Sequence, residues 1–274
     1  MFPFIEILGL KLSTWRIMAL GGVLVCWALI LIRTRRLGYS PYAIFSLVLL
    51  ALPVGTAGGH LFNFLIPYVT GADNAEAMEL LGLTVTGSII STVAFGFLYL
   101  KYALKIPPLP VMDAIAFSLP LAIFFGRIGC IANGCCFGRL APAWVESSFL
   151  KYLAVPVDLF IPPSVAWFAF QNAPEHSHAW NVPLLLMANA LVTLFTAEYL
   201  FRNKERFSLP DGAVFFASFV TYSFGRFFAE FLREENTIQG SFFNPWQAVL
   251  FMFFAASVII LFVVFRNRKK GGMS

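Results

Sequence analysis

Two arginines lie inside apolar stretches that are long enough to cross a bilayer. Arg127 falls in the sequence GRIGCIANGCCFG, and Arg226 falls in YSFGRFFAE. A charge inside a membrane costs at least a few kcal/mol, so such residues usually line a polar cavity or a substrate path. Arginine binds phosphate through two parallel donors, and phospholipid headgroups supply phosphate to a membrane protein. The two segments therefore predict a phosphate-binding site.

Residues suited to an anion surround each arginine. Tyr222, Arg226 and Glu230 are spaced four apart, so one helix face would carry a hydroxyl, a guanidinium and a carboxylate that holds it. A structural ion pair that locks helix packing is the alternative interpretation. Around Arg127, glycines that permit close approach and an amide side chain would expose donors to an anion. These residues are Gly126, Gly129, Asn133, Gly134 and Gly138.

Counting along the helices predicts that both arginines lie at the same depth. If a helix begins at Asp211, Arg226 lies about 22 Å from its cytoplasmic end. If another begins at Pro110, Arg127 lies about 25 Å from the same face. Two guanidiniums at one level in the outer leaflet repel each other unless an anion lies between them. This favours a shared phospholipid phosphate.

The elements that must position these residues are membrane-spanning helices. Hydrophobic residues make up 59% of the 274, and only 12% are charged, whereas soluble domains carry about 25% charged residues. The apolar runs predict an all-α polytopic membrane helix bundle of about seven transmembrane helices, with no removable signal peptide. The predicted spans are 16–32, 42–66, 84–100, 110–135, 183–201, 211–232 and 244–265.

Basic residues cluster at alternate ends of these spans. The clusters are Arg33, Arg35 and Arg36; Lys101 and Lys105; Arg202, Lys204 and Arg206; and Arg266, Arg268, Lys269 and Lys270. By the positive-inside rule they face the cytoplasm, which puts the N-terminus outside and the C-terminus inside. The 69–82 loop is acidic instead. The formal net charge of +5 thus indicates topology, and no nucleic-acid partner is expected.

One segment differs in composition from the spans. We interpret 1–274 as a single integral membrane domain in which residues 138–182, rich in proline and tryptophan, form an extracytoplasmic segment. A long loop with its own apolar content is usually functional, and tryptophan is enriched at membrane interfaces. A cap over the outer mouth and a packed external hairpin are both open.

Histidine and cysteine give weaker signals. His60 follows a glycine-rich run in the second span, and a lone histidine there is more often structural than in contact with substrate. Cys130, Cys135 and Cys136 match no zinc-ribbon or thioredoxin spacing. We therefore expect no metal site and no cofactor, and we favour a structural disulfide or packing thiols over redox chemistry.

These motifs resemble those of the bacterial prolipoprotein diacylglyceryl transferase family. The segment 126–139 is similar to the family signature GRxGNFxNGExxGR, in a cysteine-bearing form. Gly58–Asn63 resembles the second-span element, and Tyr222–Arg233 resembles YxxxRFxxEFxR. The resemblance covers about residues 15–265.

The resemblance implies an activity and a set of site residues. The family transfers a diacylglyceryl group from phosphatidylglycerol to a prolipoprotein cysteine thiol, at the bacterial cytoplasmic (inner) membrane. Phosphatidylglycerol, a prolipoprotein and membrane lipids would be the partners. The residues implied as catalytic are Arg127, Arg226, Glu230 and Tyr222, and those implied to bind the phospholipid headgroup are Arg127, Arg226, Asn133, Gly129, Gly134 and His60.

The sequence departs from the family pattern on the acceptor side. The family's histidine position reads Thr86, and the signature's Asn and Glu positions read Cys130 and Cys135. The alternatives are a related membrane transferase with another acceptor, or a non-catalytic phospholipid-binding or transport protein on the same scaffold. A thiol-redox membrane protein is a further alternative that rests only on the cysteines.

Overall fold

The protein is described by a computed structural model that covers residues 3–7, 10–70, 85–174, 176–233 and 245–271. Helices dominate these ranges. They are α1 Thr14–Arg36, α2 Pro41–Thr70, α3 Val85–Leu98, α4 Pro108–Ile115, α5 Ser118–Asn133, α6 Val165–Phe170, α7 Val182–Arg202, α8 Ala213–Glu230 and α9 Pro245–Gly271. A π-helical turn, Tyr99–Ala103, extends α3. Most of the acidic 69–82 loop lies outside the described residues.

The helical prediction is confirmed, and two small sheets are added to it. The strands are β1 Phe4–Ile7, β2 Leu10–Ser13, β3 Ala154–Pro156 and β4 His178–Trp180, paired antiparallel as β1 with β2 and β3 with β4. Strands of three or four residues are too short for their alternation to be recognised in the sequence. The all-α prediction therefore holds for the bundle but misses these two ribbons.

Within the residues that the structure describes, five helices have the length and apolar composition to cross a membrane. They are Thr14–Arg36, Pro41–Leu65, Pro108–Asn133, Val182–Arg202 and Gln247–Arg266. Their surfaces carry large apolar side chains open to the surroundings, such as Phe195, which is 69% exposed, and Phe262, which is 66% exposed. Such surfaces suit contact with lipid, so the protein is a multi-pass membrane protein.

The other two predicted spans differ from these five. The predicted span 84–100 corresponds to a shorter apolar helix, Gly87–Ala103. The predicted span 211–232 is α8, whose apolar character is interrupted by Arg226 and Glu230. The count of seven spans and the orientation of the termini stay predictions.

The chain divides into two compact units, which we describe separately. One is Trp27–Ile115, and the other joins Met1–Cys26 to Ala116–Ser274. That the whole chain acts as a single membrane domain stays a prediction.

Within Trp27–Ile115, α2 packs against α3 through small residues. A Cβ at Gly58 would collide with the Ser91 side chain, and a Cβ at Gly87 would collide with Phe62. Glycines at such a crossing let two helix backbones approach closely, as is common between membrane helices. The glycine-rich run before His60 therefore has a packing role, and His60 itself is exposed on α2.

In the other unit, α7 packs against both α5 and α8, and α8 packs against α9. The Asn189 side-chain amide on α7 donates a 3.0 Å hydrogen bond to the Tyr222 carbonyl on α8. Gly225, one turn along α8, leaves room for that amide, because a Cβ there would overlap Asn189. The α7–α8 contact is thus fixed by a polar bond inside an apolar interface.

Residues 138–181 pack onto the ends of α7 and α8. Backbone bonds join Gly138 N to the Trp180 carbonyl at 2.8 Å and Arg139 N to the Leu232 carbonyl at 2.9 Å. One apolar cluster lies within the segment, and a second joins the segment to α7 and α8. The first contains Phe160, Ala166, Phe170 and Ala179, and the second Val145, Ala154, Trp180, Leu186 and Ala229. The location of this segment outside the membrane and its role as a cap stay predictions.

Candidate active site

A buried carboxylate at the end of α8 holds two guanidiniums. Glu230 Oε2 lies 3.0 Å from Arg226 Nη2, and its side chain is only 1% exposed. Its other oxygen, Oε1, lies 3.6 Å from Arg233 Nη1. The predicted spacing of four residues thus produces the expected ion pair, and a third charge from the turn after α8 joins it.

Arg127 lies on α5 beside this cluster. It interacts electrostatically with the Tyr222 phenol, and Arg226 interacts with Tyr222, Arg127 and Arg233. The structure therefore brings together all four residues predicted to be catalytic. Their catalytic roles stay predictions.

The two arginines on α5 and α8 differ in their partners. Within the described residues Arg127 has no ion pair with a carboxylate, and its recorded contact runs from Nη1 to Cys130 Sγ at 3.8 Å. Arg226 has Glu230, but its Nη1 is buried without a hydrogen-bond partner. A buried donor without a partner is costly, and an anion would satisfy Arg226 Nη1.

The formal charge of the described cluster is positive. Arg127, Arg226 and Arg233 supply three positive charges and Glu230 supplies one negative charge, which leaves +2. Guanidiniums that outnumber carboxylates favour an anionic ligand such as a phosphate. The cluster is therefore suited to a ligand with one or two negative charges.

The residues that follow Arg127 shape the end of α5. A Cβ at Gly129 would lie 3.0 Å from the Trp15 Cα, so Gly129 allows α1 to cross α5 closely. The Asn133 Oδ1 accepts a 3.2 Å hydrogen bond from the Ser13 hydroxyl, which leaves its NH₂ group available as a donor. Gly134 ends the helix in a left-handed conformation with φ of 66°. Headgroup contacts of Gly129, Asn133 and Gly134 stay predictions. The same holds for His60, which lies in the unit Trp27–Ile115.

The turn at Gly134 folds the chain back so that three thiols meet. The Sγ atoms of Cys130, Cys135 and Cys136 all lie within 4.8 Å of one another. All four cysteines of the chain are described and all are free, so a structural disulfide is absent and the packing-thiol interpretation fits. Hydrogen bonds from Cys130 and Cys135, followed by the charges of Arg127 and Arg233, lower the pKa of the Cys136 thiol.

Comparison with known proteins shows which family the chain belongs to. The profile described as prolipoprotein diacylglyceryl transferase matches residues 3–263, nearly the whole chain. This chain belongs to that family. A phosphatidylglycerol–prolipoprotein diacylglyceryl transferase of Clostridium tetani is 27% identical over 267 residues, which cover 97% of this chain and 98% of that protein.

Other transferases of the same name are similar at comparable levels. The second such enzyme of Clostridium perfringens is 27% identical over 233 residues, covering 84% of this chain and 82% of that protein. The enzyme of Enterococcus faecalis is 25% identical over 265 residues, covering 96% and 90%. The resemblance noted in the motifs is therefore confirmed as membership of the diacylglyceryl transferase family.

Two residues near the site, Arg233 and Asn189, were not predicted as site residues from the sequence. Arg233 was noted only as part of a motif, because it lies beyond the C-terminal end of α8, where helical spacing no longer indicates which side chains meet. Asn189 lies in an apolar helix, and nothing near it in sequence indicates that it contacts α8. A polar residue in the middle of a predicted span is the signal that identifies it.

Proposed function

We propose that this protein transfers the diacylglyceryl group of phosphatidylglycerol to the cysteine thiol of a prolipoprotein. Family membership and the names of the similar transferases support this activity. The single observation that carries it is the cluster of Arg127, Arg226, Arg233 and Glu230, with a formal charge of +2 from three guanidiniums and one carboxylate.

The charge of the cluster suits the leaving group better than the substrate. A phosphodiester carries one negative charge, whereas a phosphate monoester carries close to two at neutral pH. The acceptor thiol loses its proton to solvent and its sulfur attacks the glyceryl carbon. A C–S bond forms as the C–O bond to phosphate breaks, and glycerol phosphate leaves with the electron pair. Stabilisation that grows as this charge develops lowers the barrier.

Each residue has a distinct part in this proposal. Arg127 and Arg226 bind the phosphate from α5 and α8, and the Tyr222 phenol, which interacts with both, donates to an ester or phosphate oxygen. Glu230 orients Arg226 and Arg233, and its single negative charge neutralises only one of their two positive charges. Asn133, Gly129 and Gly134 are proposed to contact the headgroup as well, and a headgroup contact is also proposed for His60.

The proposal includes the setting in which the enzyme works. The protein lies in the bacterial cytoplasmic membrane with seven spans, its N-terminus outside and its C-terminus in the cytoplasm. The alternating basic clusters support this orientation. Prolipoproteins emerge on the outer side of that membrane, where the two arginines are expected from their positions along α5 and α8.

Genetic complementation tests the activity. The wild-type chain is expected to restore growth of a conditional diacylglyceryl transferase mutant, and Arg127→Ala is expected to fail at equal membrane abundance. Arg202→Ala is the matched control, since Arg202 pairs with Glu198 on an exposed surface at 2.7 Å. Failure of the wild-type chain, or rescue by Arg127→Ala, would contradict the proposal.

An assay with purified protein separates this function from its alternatives. Phosphatidylglycerol in detergent is mixed with a signal peptide that carries one lipoprotein cysteine, and mass spectrometry follows the gain of a diacylglyceryl group. The Cys130 and Cys135 substitutions in the signature favour, as a second candidate, a transferase with another acceptor. Release of glycerol phosphate only in the presence of a different thiol would support that candidate. Phospholipid binding without turnover would support a binding or transport protein.

A further inference from the structure

Three thiols with no role in the proposed phosphate chemistry lie together at the end of α5. Gly134 turns the chain in the left-handed conformation, and the Cys135 amide donates a 3.0 Å hydrogen bond to the Cys130 carbonyl. Cys136 then takes a positive φ of 63°, which is uncommon for a residue with a side chain. The backbone thus bends twice within three residues and directs all three sulfurs to one point, within 4.8 Å of one another.

This spacing is close to that of sulfurs around one soft metal ion. A zinc–thiolate bond of about 2.3 Å puts tetrahedral sulfur ligands roughly 3.8 Å apart. The three Sγ atoms lie within 4.8 Å of one another. Rotation of the cysteine side chains would bring them to the spacing of metal ligands. The CxxxxCC spacing matches no zinc signature, so the sequence alone predicts no metal site. Spacing does not show the two backbone bends that bring the sulfurs together.

The surrounding charges suit a metal bound by three thiolates. Three thiolates and a divalent cation carry a formal charge of −1, which is costly to bury without a partner. Arg127 Nη1 lies 3.8 Å from Cys130 Sγ, and both Arg127 and Arg233 act on Cys136. The arginines would therefore offset part of that charge.

A cavity of about 220 Å³ borders one of the three thiols, that of Cys136. Its lining also includes Arg233, Phe137, Val165 and Phe170. A metal with three protein ligands keeps one position for an exogenous ligand, and this cavity is the space from which that ligand would enter.

We propose that Cys130, Cys135 and Cys136 bind a thiophilic divalent cation of the zinc type, and that its fourth position binds an exogenous thiol. Each cysteine gives up its proton to solvent on binding. A thiol that coordinates such a cation is deprotonated, because the positive charge stabilises the thiolate.

The position of the site gives the exogenous thiol a chemical use, and this step rests on the proposed function. A prolipoprotein thiol would bind the cation and release its proton to water. Its sulfur would then attack the glyceryl carbon, forming the C–S bond as the C–O bond to phosphate breaks, and glycerol phosphate would leave with the electron pair. Arg127 contacts the thiol cluster and is proposed to hold the phosphate, so nucleophile and leaving group would lie side by side.

Cadmium titration of the purified full-length protein tests the metal site without reference to turnover. After reduction and chelation, we expect one Cd²⁺ per chain, seen as thiolate-to-cadmium charge-transfer absorption and displaced by Zn²⁺. Single variants Cys130→Ser, Cys135→Ser and Cys136→Ser should each weaken binding at least tenfold while the protein still elutes as a folded species. Cys26→Ser is the control, because Cys26 is buried in α1 and bonds the Ser118 carbonyl at 3.3 Å. Absence of stoichiometric cadmium binding would overturn the site. Cadmium binding by the three variants as tight as that of the wild-type protein would overturn it as well.

Cobalt-loaded protein tests the fourth position. A signal peptide with its lipoprotein cysteine should change the visible spectrum of bound Co²⁺, and the same peptide with serine should not. If neither peptide changes the spectrum of bound Co²⁺, the proposal that a thiol binds at the fourth position is overturned. The diacylglyceryl transfer assay is read separately, so loss of metal binding and loss of the transferase activity are distinguishable outcomes.

Discussion

The pair formed by Arg226 and Glu230 can be either a phosphate clamp or a structural lock. The carboxylate is almost fully buried and lies 3.0 Å from the guanidinium, which both interpretations require. The buried Arg226 Nη1, which has no hydrogen-bond partner among the described residues, favours a clamp, because a structural pair would satisfy its own donors.

Two variants separate these interpretations. Arg226→Lys is expected to lose most turnover while retaining its fold, because lysine supplies charge without the planar two-donor fork. The double variant Arg226→Met, Glu230→Leu should be inactive as well. Turnover and melting temperature in detergent are measured for both. In the structural alternative, a single removal lowers stability by about 3–5 kcal/mol and the apolar pair restores it. An active, stable double variant would exclude Arg226 from the phosphate site.

The residues of the site were predictable as far as local spacing determines them. Tyr222, Arg226 and Glu230 share a face because they are four apart, and that holds wherever the helix packs. Arg233 meets Glu230 only because of the turn after α8. Asn189 meets Tyr222 only because α7 packs against α8, and the three thiols meet only because of two backbone bends. Contacts that depend on a turn in the backbone or on tertiary packing leave no periodic signal in one sequence.

The α7–α8 crossing depends on a glycine. Gly225→Ala is expected to destabilise the protein by about 1–3 kcal/mol, since the added methyl group overlaps the Asn189 amide and disturbs its bond to the Tyr222 carbonyl. Gly21→Ala is the matched control in α1, where nothing lies within 4 Å of an added Cβ. That variant should be neutral or more stable by up to about 1 kcal/mol.

Melting temperature in detergent measures both glycine variants. Because Tyr222 and Arg226 flank Gly225 on α8, a shift of the crossing should also lower turnover for Gly225→Ala. Equal melting temperatures for the two variants would show that the α7–α8 contact is looser than the structure indicates.

Helix positions were the most predictable elements. Each of the seven predicted spans overlaps a helix, because a long apolar run in a membrane must satisfy its own backbone hydrogen bonds. The fourth predicted span, 110–135, was taken as one helix, whereas the structure has α4 and α5 with a break at residues 116–117. The ribbons β1–β2 and β3–β4 lie in interfacial or loop sequence, where composition does not distinguish a strand from irregular chain.

The orientation of the whole molecule is testable by cysteine labelling. Ser40→Cys, in the loop after α1, is expected to be protected from a membrane-impermeant maleimide in intact cells. Ser147→Cys, in the segment 138–182, is expected to react. The unmodified chain gives the background from its own four cysteines. Equal labelling of both sites from outside would contradict the predicted topology.

At the scale of the molecule, the sequence indicated a membrane bundle but not its subdivision. Composition and basic clusters predict spans and sides because they act through the bilayer. The two compact units, by contrast, follow from which helices pack together, as α2 does with α3 and α7 does with α5 and α8. That choice depends on complementary surfaces along the helices, such as the small residues of α2 and α3.

The charged face of α8 also bears on how the protein enters the membrane during synthesis. An arginine near the centre of an inserting helix costs about 2.5–3.5 kcal/mol at the translocon, and α8 carries an arginine and a glutamate within 18 residues. Their i,i+4 ion pair can form as soon as the helix forms, before any tertiary contact, and the Asn189 amide of the preceding helix can bond α8 next. Biogenesis would thus favour α7 and α8 leaving the translocon as a hairpin, so the polar side chains that serve the active site would also be the ones that guide insertion.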